Sequence, residues 1–353
     1  MTPLRLERGS SRHLAVRLIG WGALLVVLVS LPFFNQSYTV GQLTYVLAYA
    51  IAVLGLNLLV GYSGQISLGH GAFFAIGAYT AAVLIDKAGV PYLVAIPAAG
   101  LVTLVAGLVF AVPALRLRGP YLALVTLGLA LAVPALIKRF EGLTGGTQGL
   151  TISAPSAPGW LGFLEDDQFL YLLTLVVAVA LFVLAANLVR GQVGRALVAL
   201  RDNEIAAETM GVNLARTKAA TFGVSSAYAG VAGAMYAFAL GIVAPEAFPL
   251  ALSFGFLAAI VVGGLATVSG AVFGALFIVY VPVYAGDVNE ALTGVIYGAT
   301  LIIFIYLLPG GIAGLGRGLV RRVLVIEDRP PGTATRSPTA THTPAGGRLA
   351  GEG

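Results

Sequence analysis

GQLTYVLAYAIAVLGLNLLVGYSGQISLGHGAFFAIGAYTAAVLID (residues 41–86) holds two apolar runs, 41–60 and 71–86, separated by a glycine-rich break. A helix needs roughly 20 apolar residues to cross the hydrocarbon core of a bilayer, and both runs approach that length. Barrel strands would instead alternate in character over about ten residues. The break carries Gln65, Ser67 and His70 among Gly61, Gly64, Gly69 and Gly71. Irregular backbone with polar groups is tolerated at membrane depth only where protein or water covers it. Residues 61–70 therefore form either a turn between two helices or a segment re-entering toward a pathway.

The rest of the chain repeats the pattern. Of 353 residues, 58% are hydrophobic and 10% charged, against roughly 25% charged in an ordinary soluble domain. The apolar runs predict about ten crossings, near 15–34, 41–60, 71–86, 91–113, 120–138, 169–189, 214–240, 250–268, 270–286 and 290–308. The expected fold class is an all-α integral membrane protein, a polytopic helical bundle of about ten transmembrane helices with both termini cytoplasmic. A basic segment, 1–14, precedes the bundle (15–320), and a Pro-, Thr- and Gly-rich tail (321–353) has too little to bury and reads as disordered. No A-x-A-like site follows the first run, so it reads as an uncleaved helix.

Charge supports this threading. Of the 20 Lys and Arg residues, all but Lys87, Lys138 and Arg139 fall in segments that the topology assigns to one side. Cytoplasmic loops of membrane proteins carry this excess, so the net charge of +5 points to a membrane and not to nucleic acid. The other side holds Asp86, Glu141, Glu165, Asp166, Asp167, Glu246, Asp287 and Glu290. These are either solvated loops depleted of cations or a docking face for an extracytoplasmic partner.

Several chemistries find no residues. There is no cysteine, no GxxxxGK[ST] phosphate loop and no HExxH or similar ligand cluster, so neither a metal site nor ATP hydrolysis is expected of this chain. The histidines are His13, His70 and His342, and the one in the tail reads as incidental. Every Asp and Glu falls in a loop or near a span boundary, whereas a proton-coupled carrier needs an intramembrane relay. Ser67 and His70, three apart, could share a helical face, but no third group orients the imidazole as hydrolase chemistry requires. For His70 the readings are a hydrogen-bonded structural residue, a pathway lining or a proton relay, and Gln65 and Ser67 are candidates for the same pathway.

Small residues four apart, such as Gly71/Ala75, Gly230/Ala234, Gly233/Ala237 and Gly270/Gly274, let membrane helices approach closely. Pro97, Pro113, Pro134 and Pro282 fall in or at the ends of spans and can kink them. The most informative polar segment is VRGQVGRALVALRDNEIAAETMGVNLARTK (189–218), which contains the loop 190–213. Asp202 or Asn203 can cap a short helix with Glu204 in its first turn. Gly211 suits its C-terminal stop, and Asn213 can cap the next span. The result is a two-turn helix roughly 10 Å long. Glu204 and Glu208, four apart, repel by a few tenths of a kcal/mol, which a cationic partner surface would offset. The segment reads as a docking element or as a solvated loop.

LGLNLLVGYSGQISLGHGAFFAIGAY (Leu54–Tyr79), GRALVALRDNEIAAETMGVNLARTKAATFGVSSAYAGVAGAMYA (Gly194–Ala237), VVGGLATVSGAVFGALF (Val261–Phe277) and LPGGIAGL (Leu308–Leu315) together resemble the permease subunits of bacterial branched-chain amino-acid ABC importers, of the LivM type. The resemblance covers about residues 40–320. It implies a transport subunit and not an enzyme, in the bacterial plasma (inner) membrane, paired with a second homologous permease subunit. Two ATP-binding cassette subunits would hold ATP and Mg²⁺, and an extracytoplasmic substrate-binding protein would deliver the small-molecule substrate; no cofactor belongs to this chain. EIAAETMG resembles the EAA-x-x-x-G loop of such importers with one more residue after the Glu, and no I-x-L-P follows Gly211. Carried over, the loop assigns Arg201, Asp202, Glu204, Ala207, Glu208 and Gly211 to coupling with the ATPase. The alternatives are a urea or short-amide permease of the same family and, from another class, an ATP-independent secondary carrier.

Overall fold

A computed structural model describes residues 4–7, 11–115, 120–159, 162–315 and 324–327. The chain divides into two units, residues 26–318 and the terminal segments 1–25 with 319–353. In the terminal unit, strand β1 (Leu4–Glu7) pairs in parallel with a segment near the C-terminus, Leu324–Glu327. The rest of the tail expected to be disordered, with His342, lies outside the described residues, as do Arg116 and Arg118.

Apolar runs become helices because a backbone in hydrocarbon must satisfy its own N–H and C=O groups. They are α1 (Ser11–Phe34), α2 (Ser37–Asn57), α3 (His70–Ala88), α4 (Tyr92–Ala114), α5 (Pro120–Arg139), a single turn α6 (Glu141–Thr144) and α7 (Asp166–Arg190). Then follow α8 (Gln192–Asp202), α9 (Glu204–Thr209), α10 (Leu214–Leu240), α11 (Leu250–Gly263), α12 (Gly270–Val288) and α13 (Thr293–Leu307). Among the described residues eight helices are long and apolar enough to span a bilayer, and shorter apolar stretches run from Gly22 to Phe34 and from His70 to Asp86. All ten expected crossings thus fall on helices, and the chain is an all-α polytopic membrane protein.

Two boundaries moved for local reasons. The expected 250–268 span stops at Gly263 because Gly264 (φ 119°) and Ala266 (φ 54°) turn the chain. The expected 41–60 span begins at Ser37 and ends in a π-helical turn, Leu58–Tyr62. A two-residue antiparallel pair, β2 (Leu150–Thr151) with β3 (Ile242–Val243), closes the end of the bundle opposite that turn.

The core is built on α2 and α10. Helix α10 packs against α2, α3 and α4, and α2 also meets α7 and α12. Lipid removes the hydrophobic drive between helices, so close packing must hold them. At the α3–α10 crossing a Cβ on Gly77 would collide with the backbone of Gly230, and one on Gly233 with the carbonyl of Phe74. Helices α11 and α12 touch in the same way through Gly263, Gly270 and Gly274. The recurring small residues are therefore the contact points of the bundle.

Candidate functional site

The segment 190–213 is built by caps. Asn203 Oδ1 accepts from Ala206 N at 3.1 Å to start α9, and Asn213 Oδ1 accepts from Arg216 N at 3.0 Å to start α10. Between them Gly211 takes φ 85°, Gly211 N donates to Glu208 O and Val212 N to Ala207 O. Ala207 is the buried contact of this short helix, whereas Arg201, Asp202 and Glu208 are exposed. Its two large apolar side chains, Ile205 and Met210, are 74% and 85% exposed. Glu204 meets a cation within the same chain: Lys218 Nζ, one turn into α10, stands 2.6 Å from its Oε1. Within the chain, Lys218 offsets the Glu204 charge.

Arg201 reaches away from α9. Its guanidinium donates to the carbonyl of Gly61 at 3.0 Å and pairs with Asp202 at 3.1 Å. Its stem lies over Gly64, whose φ of 73° and close approach to the Arg201 Cγ both disfavour a side chain. The segment 190–213 and the glycine-rich break are thus joined.

Within the break, Gln65 Nε2 donates to Ser63 Oγ at 2.9 Å and, at 3.5 Å, to the Lys218 carbonyl. Ser67 is buried in the irregular segment ahead of α3 and its Oγ accepts from Gly69 N at 3.4 Å. His70 opens α3, buried, with Nε2 2.8 Å from the Ala52 carbonyl. A carbonyl only accepts, so that nitrogen carries the proton. Ser67 precedes the helix that His70 begins, so the two do not share a helical face and form no nucleophile–base pair. In this state Gln65, Ser67 and His70 are all occupied by protein partners.

Above His70 the interior is aromatic. Phe256 meets His70 edge-on, Phe74 and Tyr49 meet Phe256, Tyr236 stacks on Tyr49 at 5.4 Å, and Phe248 links Tyr236 to Tyr79. Ring contacts of this kind add about 0.5–1.5 kcal/mol each beyond their burial, so the column from His70 to Tyr79 is a packed core. A cavity of about 410 Å³ opens between α8 and α10, lined by Leu58, Leu188, Leu197, Val224 and Arg216. Its walls offer little to both ends of a zwitterion.

At the other end of the bundle several of the acidic residues have local partners. Glu165 and Gln168 form a capping box on α7, Asp167 accepts from Ser37, and Glu246 pairs with Lys138 at 2.9 Å. Among the described residues no group of His, Asp and Glu is arranged to hold a metal ion.

Three features were missed from sequence. Helix α8 carries Val193, Leu197 and Leu200 at i, i+4 and i+7, a readable amphipathic signal within a segment dominated by its charges. Lys218 stands in the first turns of α10 and Glu204 at the start of α9, so the two could be paired only once both helices were placed. Asn57 ends α2 fully buried, and its amide meets the turn that contains Ala266; no local pattern marks it.

Comparison with known proteins gives the context. The family described as branched-chain amino acid transport system, permease component, matches residues 38–305. The chain is 36% identical over 290 residues to the high-affinity branched-chain amino acid transport system permease protein LivM of Salmonella typhimurium, covering 76% of this chain and 68% of that one. The LivM protein of Escherichia coli matches with the same identity and coverage. No solved structure matches. The matched region contains the glycine-rich break, the segment 190–213 and the α11–α12 turn, and the chain belongs to the branched-chain amino acid transport permease family.

Proposed function

We propose that this chain is the membrane-spanning permease subunit of an ATP-driven ABC importer in the bacterial inner membrane, carrying branched-chain or similar small amino acids. Both termini and the coupling segment face the cytoplasm, where the basic residues concentrate. The chain has no phosphate loop, so two separate ATPase subunits supply ATP and Mg²⁺. A second homologous permease completes the membrane part, and an extracytoplasmic binding protein delivers substrate to the opposite face.

One observation carries the reading. A capped six-residue helix holds Ile205 and Met210 in the open beyond the apolar spans. Apolar side chains exposed on an ordered element outside the spans suit cover by a protein partner, and here a groove on an ATPase subunit would receive them. ATP-driven closure would push α9 and switch the bundle between outward- and inward-open states. For Gln65, Ser67 and His70 to line the pathway, α3 must separate from α11 at the His70–Phe256 and Gly71–Ser253 contacts, the latter a 3.1 Å hydrogen bond.

The test is the reconstituted transporter carrying Glu204→Arg. The complex should assemble, while stimulation of ATP hydrolysis by substrate-loaded binding protein disappears. Normal stimulation would refute the coupling assignment, and uptake without any ATPase would favour a secondary carrier.

A further inference from the structure

Asn57 is 0% exposed and both polar atoms of its amide are hydrogen-bonded. Nδ2 donates to the Thr267 carbonyl at 2.8 Å and lies 3.5 Å from that of Gly264, while Oδ1 accepts from Ala266 N at 2.9 Å. These bonds grip a turn in which Ala266 holds φ 54°, a left-handed conformation that an alanine adopts only under constraint. The amide thus fixes the backbone that joins α11 to α12. That turn is also in contact with the chain end beyond α13, since a Cβ on Gly311 would collide with Gly264.

Gly61 lies on the other side of the amide. A Cβ there would collide with Asn57 Oδ1 and with Ala266 N. Its carbonyl accepts the Arg201 guanidinium, two residues before the Asn203 cap of α9. A line of contacts therefore runs from Arg201, at the end of α8, through Gly61 and Asn57 to Ala266, hydrogen-bonded at its two ends and closed between them by Gly61 packed against the Asn57 amide within the end of α2. It joins positions 140 residues apart at Arg201–Gly61 and 209 apart at Ala266–Asn57. Where it crosses α2, the helix has widened into the π-helical turn 58–62, a geometry often found at functional positions.

We propose that Asn57 and Arg201 are positioning residues of the transport cycle, which make the coupling segment and the Gly264–Thr267 turn move as one body through Gly61. The proposal rests on the reading of α9 as the ATPase-docking helix. A push on α9 reaches Arg201 through the adjoining backbone, then the end of α2, then the α11–α12 hairpin. Apolar contacts slide, whereas directed bonds to backbone groups hold their register, so this line transmits displacement where the surrounding surfaces do not.

The experiment uses the whole transporter in vesicles, with uptake of a branched-chain amino acid and ATP hydrolysis measured together. Arg201→Met keeps the stem over Gly64 and removes the donor to Gly61; its side chain is 37% exposed, so the fold tolerates the change. Asn57→Ala removes the grip on the turn. Each variant should assemble and lose about tenfold in uptake per ATP hydrolysed, a coupling loss within the usual range. The double variant should lose no more than the worse single one, because both break the same line. Arg201→Lys, which keeps a cationic donor, should recover part of the ratio. Unchanged uptake per ATP in assembled Arg201→Met, or losses that multiply in the double variant, would overturn the proposal. Failure of Arg201→Met to assemble would make it a docking residue and overturn it too. If Asn57→Ala fails to assemble, Arg201→Met with Arg201→Lys decides. Retained stimulation in Glu204→Arg sinks the docking reading itself; lost stimulation there with a normal ratio in Arg201→Met sinks this inference alone.

Discussion

The crossing of α3 with α10 and the junction around Gly61 are both built on glycine, yet they hold by different means. At the crossing, Gly77, Gly230 and Gly233 let two backbones touch with no side chain between them. The contact is dispersion over a surface, without direction, and its strength lies in fit. At the junction, Gly61 clears space so that Asn57 and Arg201 can aim hydrogen bonds at backbone groups. That contact has direction, and a bond can be exchanged for another without loss of fit. The first arrangement suits a part that keeps its shape through a cycle, the second a part that transmits a change of shape.

Three measurements test this contrast, beginning with the largest effect. Gly77→Val forces a branched side chain into the Gly230 backbone and should cost about 3 kcal/mol, the upper range for an overpacked core. Recovery of monodisperse protein after detergent extraction should fall sharply, and parent-like recovery would show that the crossing can spread. Lys218→Met removes the cation beside Glu204, a part-buried pair worth about 1 kcal/mol after screening. Amide exchange in α9 should quicken about fivefold, matching that energy, with the melting temperature little changed; unchanged exchange would detach α9 from the pair. Ala266→Gly relieves the left-handed alanine but adds chain entropy to the unfolded state, for a net gain of about 0.5 kcal/mol. A small rise in melting temperature is expected, and a fall would mean that the turn is not under constraint.

Most of the bundle was legible because lipid imposes a local rule: each crossing must be a long apolar helix, and caps announce where helices start. Asn203, Gly211 and Asn213 could be read for the same reason, since a cap acts on residues two or three positions away. The joints between distant elements were not legible. Asn57 serves Ala266 and Thr267 across more than 200 residues, and within its own helix it is one amide in an apolar run. Lys218 and Glu204 are 14 apart, too far for a helical pairing rule and on two different helices. The glycine-rich break announced itself by composition, but whether its polar groups faced a passage or the protein depended on Ala52, Thr126 and Lys218, contributed by three other helices.

The wide turn at Leu58–Tyr62 makes chain length itself a carrier of information. A π-helical turn is an α-helix with one residue to spare. Deleting one residue from the α-helical part of α2 ahead of Asn57, with the wide turn kept as it is, would rotate everything after it by about 100°. Gly61 would then present its carbonyl to a different neighbour, and Arg201 would face a side of the helix it cannot bond. No side chain named in this network need change for that to happen. Phase along α2 is set by how many residues the segment contains, so its most damaging alteration is a gap and not a substitution.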